Sequence, residues 1–226
     1  MGIRRLLIAV AAKLCKVCVQ TAAARETSMP SIFEAAPAPS AIPITFATTS
    51  TWPTIKDDLS TQARQFAAAN GFAAKPGACL ILPGADGQIA QVLFGLEDDQ
   101  AKHKDVFRPG ALAGLLPAGT YRFANAPHDP RLAALALALG SYRFNRYRKA
   151  DVSEVRLVPP AGSDIAELTR IADAATLARD LVNTPSNAMG PAELALAAQR
   201  LAERHGASFN CIVGEDLVQQ NFPLIH

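Results

Sequence analysis

The chain has 226 residues, of which 50% are hydrophobic and 19% are charged, and its formal net charge is +2. This composition is typical of a globular protein with a substantial buried core, and so small a charge does not indicate a nucleic-acid or anionic-membrane partner. A helix that spans a bilayer needs roughly 20 apolar residues, and because no run approaches that length, a membrane protein is not expected.

The first 28 residues match neither a folded element nor a complete secretory signal. Two arginines precede an apolar run at residues 6–12, but Lys13 and Lys16 interrupt it where a signal would continue. Met29 supplies a second plausible start. We expect residues 1–28 to be an extension that is dispensable for folding, with a weak signal sequence or an untranslated segment as the alternatives.

A low-complexity stretch leads into the first domain. Residues 30–43 are rich in Pro, Ala and Ser, which predicts a mobile lead-in. Residues 1–40 are therefore expected to be a disordered extension.

The four cysteines do not form a recognisable site. Cys15 and Cys18 have a CxxC spacing, but no second CxxC or His pair accompanies them, so a metal or redox role is not expected. Cys79 and Cys211 lie in apolar runs and are expected to be buried, reduced thiols.

Residues 41–160 are expected to form one α/β domain. Segments rich in strand-forming residues predict strands at 42–48, 79–82, 88–96, 120–123 and 154–158. Helical patterns predict helices at 55–70, 109–116 and 129–144. The sequence GADG at 84–87 predicts the turn of a hairpin between the second and third strands. In the first helix, Leu59, Ala63 and Phe66 are expected to lie on one face. Strands interleaved with helices, plus one hairpin, predict a mixed sheet flanked by helices.

Residues 161–189 are expected to be a long linker helix and a hinge, TPSNAM, and a further helix follows at 190–206. Asp164 is placed to cap the linker helix. Gly190 is placed to cap the second helix, with Glu193 at its third position.

Residues 190–226 are expected to be the truncated start of a second α/β domain. After the helix, the pattern predicts a strand at 207–213 and a short helix at 215–220. A single strand exposes hydrogen-bonding groups on both edges, and a βαβ unit needs parallel neighbours. We therefore expect this strand to lack its partners.

Some segments carry residues typical of binding sites. The run YRFNRYRK at 142–149 mixes aromatic rings with cations, as in nucleic-acid sites, but cations are also favourable at the end of the helix predicted at 129–144. The GADG segment at 84–87 is not expected to be a phosphate-binding loop, because it is short and lies between two strands instead of between a strand and a helix. Glu215 and Asp216 are expected to cap a helix start and offset its dipole rather than to bind metal. The histidines are dispersed, at positions 103, 128, 205 and 226.

The linker carries a family resemblance. ARDLVNTPSNAMGPAELA at residues 178–195, LGSYRFNRYR at 139–148 and NFPLIH at 221–226 resemble the leucyl aminopeptidase (cytosol aminopeptidase) family. The resemblance covers residues from about 40 to 226, the N-terminal half of such an enzyme. It implies a macro-domain-like mixed sheet flanked by helices, then an inter-domain helix and the beginning of a catalytic domain.

The resemblance also implies a function for the full-length enzyme. It would be a cytoplasmic hexamer that uses two divalent ions, Zn or Mn, to hydrolyse N-terminal residues from peptides. The family's catalytic half is absent, so no catalytic, cofactor-binding or metal-binding residue is assigned to this chain, and the chain alone is expected to be inactive. The alternative is a free-standing macro-like module that binds a nucleotide or nucleic acid.

Overall fold

The computed structural model describes the backbone of residues 6–9 and all atoms of residues 32–34, 40–147 and 154–226. Its contacts divide the chain into two compact units, a larger unit of Ser28–Thr176 and a smaller unit of Met1–Thr27 with Leu177–His226. The strands are β1 Leu6–Ala9, β2 Ile42–Ala47, β3 Cys79–Pro83, β4 Ile89–Gly95, β5 Gly119–Phe123, β6 Val155–Leu157 and β7 Phe209–Ile212. The helices are α1 Trp52–Asp58, α2 Thr61–Ala69, α3 Leu112–Leu115, α4 Pro130–Gly140, α5 Ile165–Asn183, α6 Pro191–Arg204 and α7 Asp216–Gln219, with a 3₁₀ turn at Arg108–Ala111.

The larger unit is built on a five-stranded mixed sheet in the order β3-β4-β2-β5-β6. β3 runs antiparallel to β4, whereas the β4–β2, β2–β5 and β5–β6 pairs are parallel. The predicted mixed α/β fold and its hairpin are therefore confirmed. β2 lies between β4 and β5. Because these three strands run parallel, the loops that follow them leave the same edge of the sheet.

Helices cover both faces of this sheet. Successive side chains of a strand point to opposite faces, and in β4 Val92 and Phe94 belong to one apolar cluster while Leu93 belongs to another. The larger cluster includes Ile44 and residues of α4, and the smaller one packs β3 and β4 against α1, α2 and Phe72. Burial on both faces explains why Val92, Leu93 and Phe94 of β4 are all apolar.

The helix predicted at 55–70 is wrong as a single element. Leu59 is extended (φ −72°, ψ 150°) and separates α1 from α2. The Ser60 hydroxyl accepts a hydrogen bond from the Ala63 N–H at 3.2 Å, which makes Ser60 the N-cap of α2. Leu59 is buried in the smaller cluster and Ala63 packs against it, whereas Phe66 is 36% exposed.

The helix predicted at 129–144 begins as expected, with Asp129 as its N-cap, but it ends four residues early at Gly140. The Arg143 guanidinium donates to the carbonyls of Gly140 and Tyr142, both at 2.8 Å. The cations of the basic-aromatic run therefore follow the helix end instead of extending the helix, and Arg143 satisfies one of its last carbonyls.

Part of the predicted mobile lead-in is ordered against the sheet. Phe33 bridges Leu157 in parallel, the Leu157 N–H donates to the Ile32 carbonyl at 2.7 Å, and the Glu34 N–H donates to the Leu157 carbonyl at 2.9 Å. The Phe33 side chain is buried in the larger cluster. For residues 32–34, the expectation of a mobile or disordered segment is therefore wrong.

The predicted caps of α5 and α6 are confirmed. The Asp164 carboxylate accepts the Glu167 N–H at 3.0 Å, and the Glu193 carboxylate accepts the Gly190 N–H at 3.0 Å. Because capping partners lie within three residues of each other, such contacts are readable from sequence. Among the described helices, none combines the length and the apolar character needed to cross a bilayer.

The smaller unit corrects two further expectations. β7 does have a neighbour, because it pairs in parallel with β1, so residues 6–9 are part of a sheet instead of a disordered extension. Cys211 is exposed, contrary to its predicted burial, while Cys79 is half-buried and burial raises the pKa of its thiol. Cys15 and Cys18 lie outside the described residues.

Candidate functional site at the carboxyl edge of the sheet

Three loops meet at the carboxyl ends of adjacent parallel strands. Residues 48–51 follow β2, residues 97–99 follow β4, and residues 125–128 follow β5. In open α/β sheets, ligands bind outside this edge, where neighbouring loops diverge. We therefore take this edge as the candidate functional site of the larger unit.

The loop after β2 is a network of hydroxyl groups. The Thr48 N–H donates to the Thr51 hydroxyl at 2.9 Å, and the Thr48 and Ser50 hydroxyl oxygens are 2.9 Å apart. Thr48 is buried, so these bonds replace the water that its polar atoms would otherwise contact. The loop is therefore held in one shape by its own side chains.

Asp98 ties this loop to the loop after β4. Its carboxylate accepts the Ser50 N–H at 2.9 Å and also the Thr49 hydroxyl. These donors, the Thr49 hydroxyl first among them, hold the pKa of the Asp98 carboxyl far below its ordinary value. Asp98 thus joins two loops through hydrogen bonds to its carboxylate.

Glu97 forms the most buried ion pair of the edge. Its Oε1 lies 2.5 Å from both Nε and Nη2 of Arg108, and only 10% of its side chain is exposed. Burial by itself raises the pKa of the Glu97 carboxyl, but the hydrogen bond and charge of Arg108 outweigh it and leave the pKa lowered. The same pairing raises the pKa of Arg108. Arg108 Nη2 also lies 3.9 Å from Asp105 Oδ2.

His128 lies on the loop after β5 and contacts the loop after β4. Its Nε2 lies 2.8 Å from the Glu97 carbonyl oxygen, which can only accept, so Nε2 carries a proton and donates. Its Nδ1 lies 3.3 Å from Asp99 Oδ1, which is also 3.6 Å from Lys104 Nζ. His128 therefore links the β5 loop to the β4 loop.

Asn125 extends the sheet with its side chain. Its Oδ1 accepts the Phe46 N–H and its Nδ2 donates to the Phe46 carbonyl, both at 2.8 Å. The backbone pairing of β5 with β2 reaches Ala124, whose N–H donates to Ile44, so the Asn125 amide supplies the next rung of the ladder. Sequence reasoning missed Asn125, Glu97 and Asp98, although polar residues directly after predicted strands were a usable signal.

This edge is acidic, and the Oε2 atom of Glu97 is buried there without a hydrogen-bond partner. Three consecutive acids follow β4, and Glu97 and Asp98 are each bonded to protein donors. Such an edge repels phosphate rather than cradling it. Within residues 32–34, 40–147 and 154–226, no group of three or more His, Cys, Asp or Glu side chains is arranged to hold a metal ion.

The segments that the sequence singled out do not join this edge. Residues 84–87 form the hairpin turn, with the Gly84 N–H donating to the Gln88 carbonyl at 2.7 Å. In the basic-aromatic run, the Arg146 guanidinium carbon lies 5.6 Å from the centre of the Tyr147 ring, and Tyr147 is exposed. Residues 148 and 149 of that run lie outside the described residues.

The second unit carries the remaining candidates. Glu215 precedes α7 but forms no side-chain bond to its N–H groups, so the expected cap is wrong, and its carboxylate instead lies 3.4 Å from His226. In the hinge, the buried Thr184 hydroxyl donates to the Asp180 carbonyl at 2.6 Å. His103 and His205 are exposed.

Comparison with known proteins identifies the larger unit. Residues 42–160 match the model of the M17 aminopeptidase N-terminal domain. A probable cytosol aminopeptidase of Geotalea uraniireducens is 30% identical over 154 residues, which are 58% of this chain and 31% of that protein. The chain thus spans about a third of the length of the curated relatives it matches.

Solved structures agree with the sequence matches. The cytosol aminopeptidase of Coxiella burnetii superposes with a TM-score of 0.75 at 29% identity, over 84% of this chain and 41% of that one. The bottromycin maturation enzyme BotP in complex with Mn superposes with a TM-score of 0.59 at 28% identity, over 79% of this chain and 39% of that one. The chain therefore belongs to the M17 aminopeptidase family, and residues 42–160 form its N-terminal domain.

Proposed function

We propose that this chain is the N-terminal region of a two-metal aminopeptidase that hydrolyses N-terminal residues from peptides. The observation that carries the proposal is the match of residues 42–160 to the family's N-terminal domain. Its support is the similarity to cytosol aminopeptidases, of which the chain spans about a third.

The proposed domain organisation follows the sequence pattern. Residues 1–40 precede the domain, 41–160 form the macro-like domain, 161–189 are the linker helix and hinge, and 190–226 begin the catalytic domain. The full enzyme would be a cytoplasmic homo-hexamer acting on peptides, as the family resemblance implies. The name of the curated relatives, cytosol aminopeptidase, supports the location.

The metals of the proposed enzyme would be two divalent ions, Zn or Mn. BotP, a relative in fold and sequence, is described in complex with Mn. Such ions polarise the scissile carbonyl and activate a water molecule. The described residues of this chain do not fit that role, because no group of three or more acidic, His or Cys side chains among them converges.

We expect this chain by itself to release no leucine from a leucyl chromogenic substrate in the presence of Zn or Mn. The reason is that a two-metal site needs several convergent carboxylates, and in 190–226 only Glu193, Glu203, Glu215 and Asp216 carry them. Of these, Glu193 already accepts from Gly190, and Glu203 accepts from Gln199.

The assay compares the purified chain with a full-length relative at equal concentration, each with and without added Mn. The relative supplies the positive control for substrate and metal. Turnover by this chain that survives removal of contaminating peptidases, and that is abolished by Glu215→Gln or Asp216→Asn, would contradict the proposal.

The nucleotide or nucleic-acid module is the second candidate, and the observation that favours it is the exposed Arg146–Tyr147 pair. The three acids after β4 oppose a phosphate at the carboxyl edge. Titration of the chain with labelled duplex DNA and with ATP at low and high salt tests it. Salt-sensitive binding that Arg146→Ala and Tyr147→Ala abolish would favour the module over the enzyme fragment.

A further inference from the structure

His128 has, beside each of its two ring nitrogens, an oxygen that can only accept a hydrogen bond. Its Nε2 lies 2.8 Å from the Glu97 carbonyl oxygen, and its Nδ1 lies 3.3 Å from Asp99 Oδ1. A carbonyl and an ionised carboxylate offer lone pairs and have no proton to donate. The two contacts are therefore favourable together only when both ring nitrogens carry a proton, which is the charged imidazolium form.

The backbone contact decides which nitrogen is bare in the neutral ring. A neutral imidazole keeps one N–H, and the hydrogen bond made by one nitrogen fixes which of the two keeps it. Because Nε2 donates to the Glu97 carbonyl, the neutral ring leaves Nδ1 with a lone pair toward the Asp99 carboxylate. Loss of one proton thus converts an ion pair into the approach of two acceptors.

The contact with Asp99 joins two different loops. The His128 side chain is 15% exposed, whereas the Asp99 side chain is 76% exposed. Asp99 Oδ1 also lies 3.6 Å from Lys104 Nζ, and Lys104 is on the same loop as Asp99. When His128 is neutral, Asp99 still has Lys104 as a counter-charge, so what is lost is the charge contact between the loops.

The other charged groups nearby do not compete for the ring. Several of them have partners of their own: Glu97 with Arg108, Asp105 with Arg108, Asp98 with Ser50, and Asp129 with Leu132. Lys102 and His103, on the same loop as Asp99, are exposed. Among the described residues, Asp99 is thus the charged side chain that lies against a ring nitrogen of His128.

We propose that His128 is a proton-dependent link between the loops after β4 and β5. As a cation it pairs with Asp99, and as a neutral ring it keeps only its bond to the Glu97 carbonyl. The charge of a histidine changes between about pH 5 and 8, so the pairing stabilises the fold at the acid end of this range and is lost as the pH rises through it. This link requires neither metal nor peptidase activity, so it is independent of the aminopeptidase assignment.

A double-mutant cycle measures the pairing in the full chain. Asp99→Asn removes the carboxylate charge, and His128→Gln removes the ring charge but keeps an amide that can donate to the Glu97 carbonyl. Trp52, the single tryptophan, packs against Phe72 in the larger unit, so its fluorescence reports the unfolding of that unit in urea. At low salt, the coupling is expected to change the unfolding equilibrium constant by about 1.5- to 5-fold at about pH 5.5, the range of exposed ion pairs, and to vanish at about pH 8.5.

The matched control is the cycle of His128→Gln with Asp173→Asn, because Asp173 is an exposed acid on α5. Its coupling is expected to be absent at both pH values. Added salt should weaken the coupling of His128 with Asp99 at acid pH, since salt screens exposed charges.

The protons of the ring can also be observed directly, by NMR of the full chain labelled with nitrogen-15 histidine. His128 is expected to carry its proton on Nε2 alone at about pH 8.5 and on both nitrogens at about pH 5.5. The spectrum of His128→Gln identifies the His128 signals. If that variant does not fold, Gln replaces the exposed residues His103, His205 and His226, and His128 is assigned by elimination.

Some outcomes would overturn the proposal. Equal coupling at both pH values, or no coupling at the acid pH, would show that the contact does not depend on the ring proton. A neutral His128 with its proton on Nδ1 would also overturn it, because such a ring donates to Asp99 without a charge. Coupling confined to acid pH, together with an Nε2–H ring at alkaline pH, supports the proton-dependent link.

Discussion

Replacing Asn125 by Ala tests whether a side chain completes the central sheet. The Asn125 amide makes two bonds to the backbone of Phe46, which is 3% exposed and lies in the middle of the parallel strands. In Asn125→Ala, the Phe46 N–H and carbonyl lose these partners, although the rest of the ladder is unchanged. The substitution is therefore expected to destabilise the larger unit without changing its fold.

The size of the effect depends on whether water reaches the Phe46 N–H and carbonyl after the substitution. If the Phe46 N–H and carbonyl stayed buried without a partner, each would cost about 1–3 kcal/mol. If water replaced the Asn125 amide as their partner, each lost hydrogen bond would cost about 0.5–1.5 kcal/mol. Asn125 is itself exposed, so water can follow its removal to Phe46. We therefore expect the lower case, a loss of about 1–3 kcal/mol in the free energy of unfolding.

The assay is chemical unfolding followed by far-ultraviolet circular dichroism, with melting temperatures as a second readout. A loss of 1 kcal/mol lowers the melting temperature by roughly 2–4 °C in a protein of this size. Asn145→Ala is the matched control, because Asn145 is exposed and lies outside the sheet. Asn125→Asp keeps an acceptor for the Phe46 N–H but turns an oxygen toward the Phe46 carbonyl, so we expect it to be no more stable than the alanine variant.

The reasoning would be refuted if Asn125→Ala and Asn145→Ala were equally stable within about 0.5 kcal/mol, the scatter of ordinary surface substitutions. It would also be refuted if Asn125→Asp retained the parent's stability at neutral pH. In either case the Asn125 amide would not act as a rung of the ladder.

Two further substitutions probe the packing and the charge of the larger unit. A methyl group at Gly140 would lie 2.2 Å from the Gly110 carbonyl oxygen, so Gly140→Ala is expected to lower the free energy of unfolding by about 1–3 kcal/mol. Gly114→Ala is the control, because the nearest atom to its added methyl group is 3.7 Å away, and it should be neutral or slightly stabilising in thermal unfolding. Because the folded-state pKa of Glu97 lies below its ordinary value of 4.5, its carboxylate stabilises the fold at neutral pH, and this contribution is lost as the pH falls through the acid range below that value. Glu97→Gln should therefore be less stable than the parent at pH 7 but approach it near pH 3 in urea unfolding. A stability difference that stayed constant with pH would contradict the ion-pair interpretation.

Features that depend on neighbours along the chain were readable from the sequence. The caps at Asp164 and Gly190 and the hairpin turn at 84–87 each involve residues at most four apart, so their hydrogen bonds follow from local residue types. The strands of the mixed sheet were also readable, because each is a short segment rich in β-branched, aromatic or other apolar residues. Family membership followed from the linker motif and is now shown by the match of residues 42–160.

Helix boundaries were readable only in part. The helical pattern continues through Leu59, but the Ser60 hydroxyl competes for a backbone N–H and starts a new helix there. The pattern also continues past Gly140, where the structure places the Gly110 backbone so close that no side chain fits. Periodicity reports which face is apolar, and it does not report where a neighbouring backbone passes.

The candidate site and the second sheet were decided by tertiary structure alone. The contacts of Asn125 with Phe46 and of Glu97 with Arg108, and the pairing of Leu6–Ala9 with Phe209–Ile212, join residues that are 11 or more positions apart in the chain. A polar residue after a strand has many possible partners in the sequence, and the parallel order β4-β2-β5 selects one of them. The sequence by itself determined the local elements and the family, because these depend on nearby residues and motifs. Only the folded chain decided which loops meet and which strand edges are covered, because long-range pairing is fixed by the packing of all the elements together.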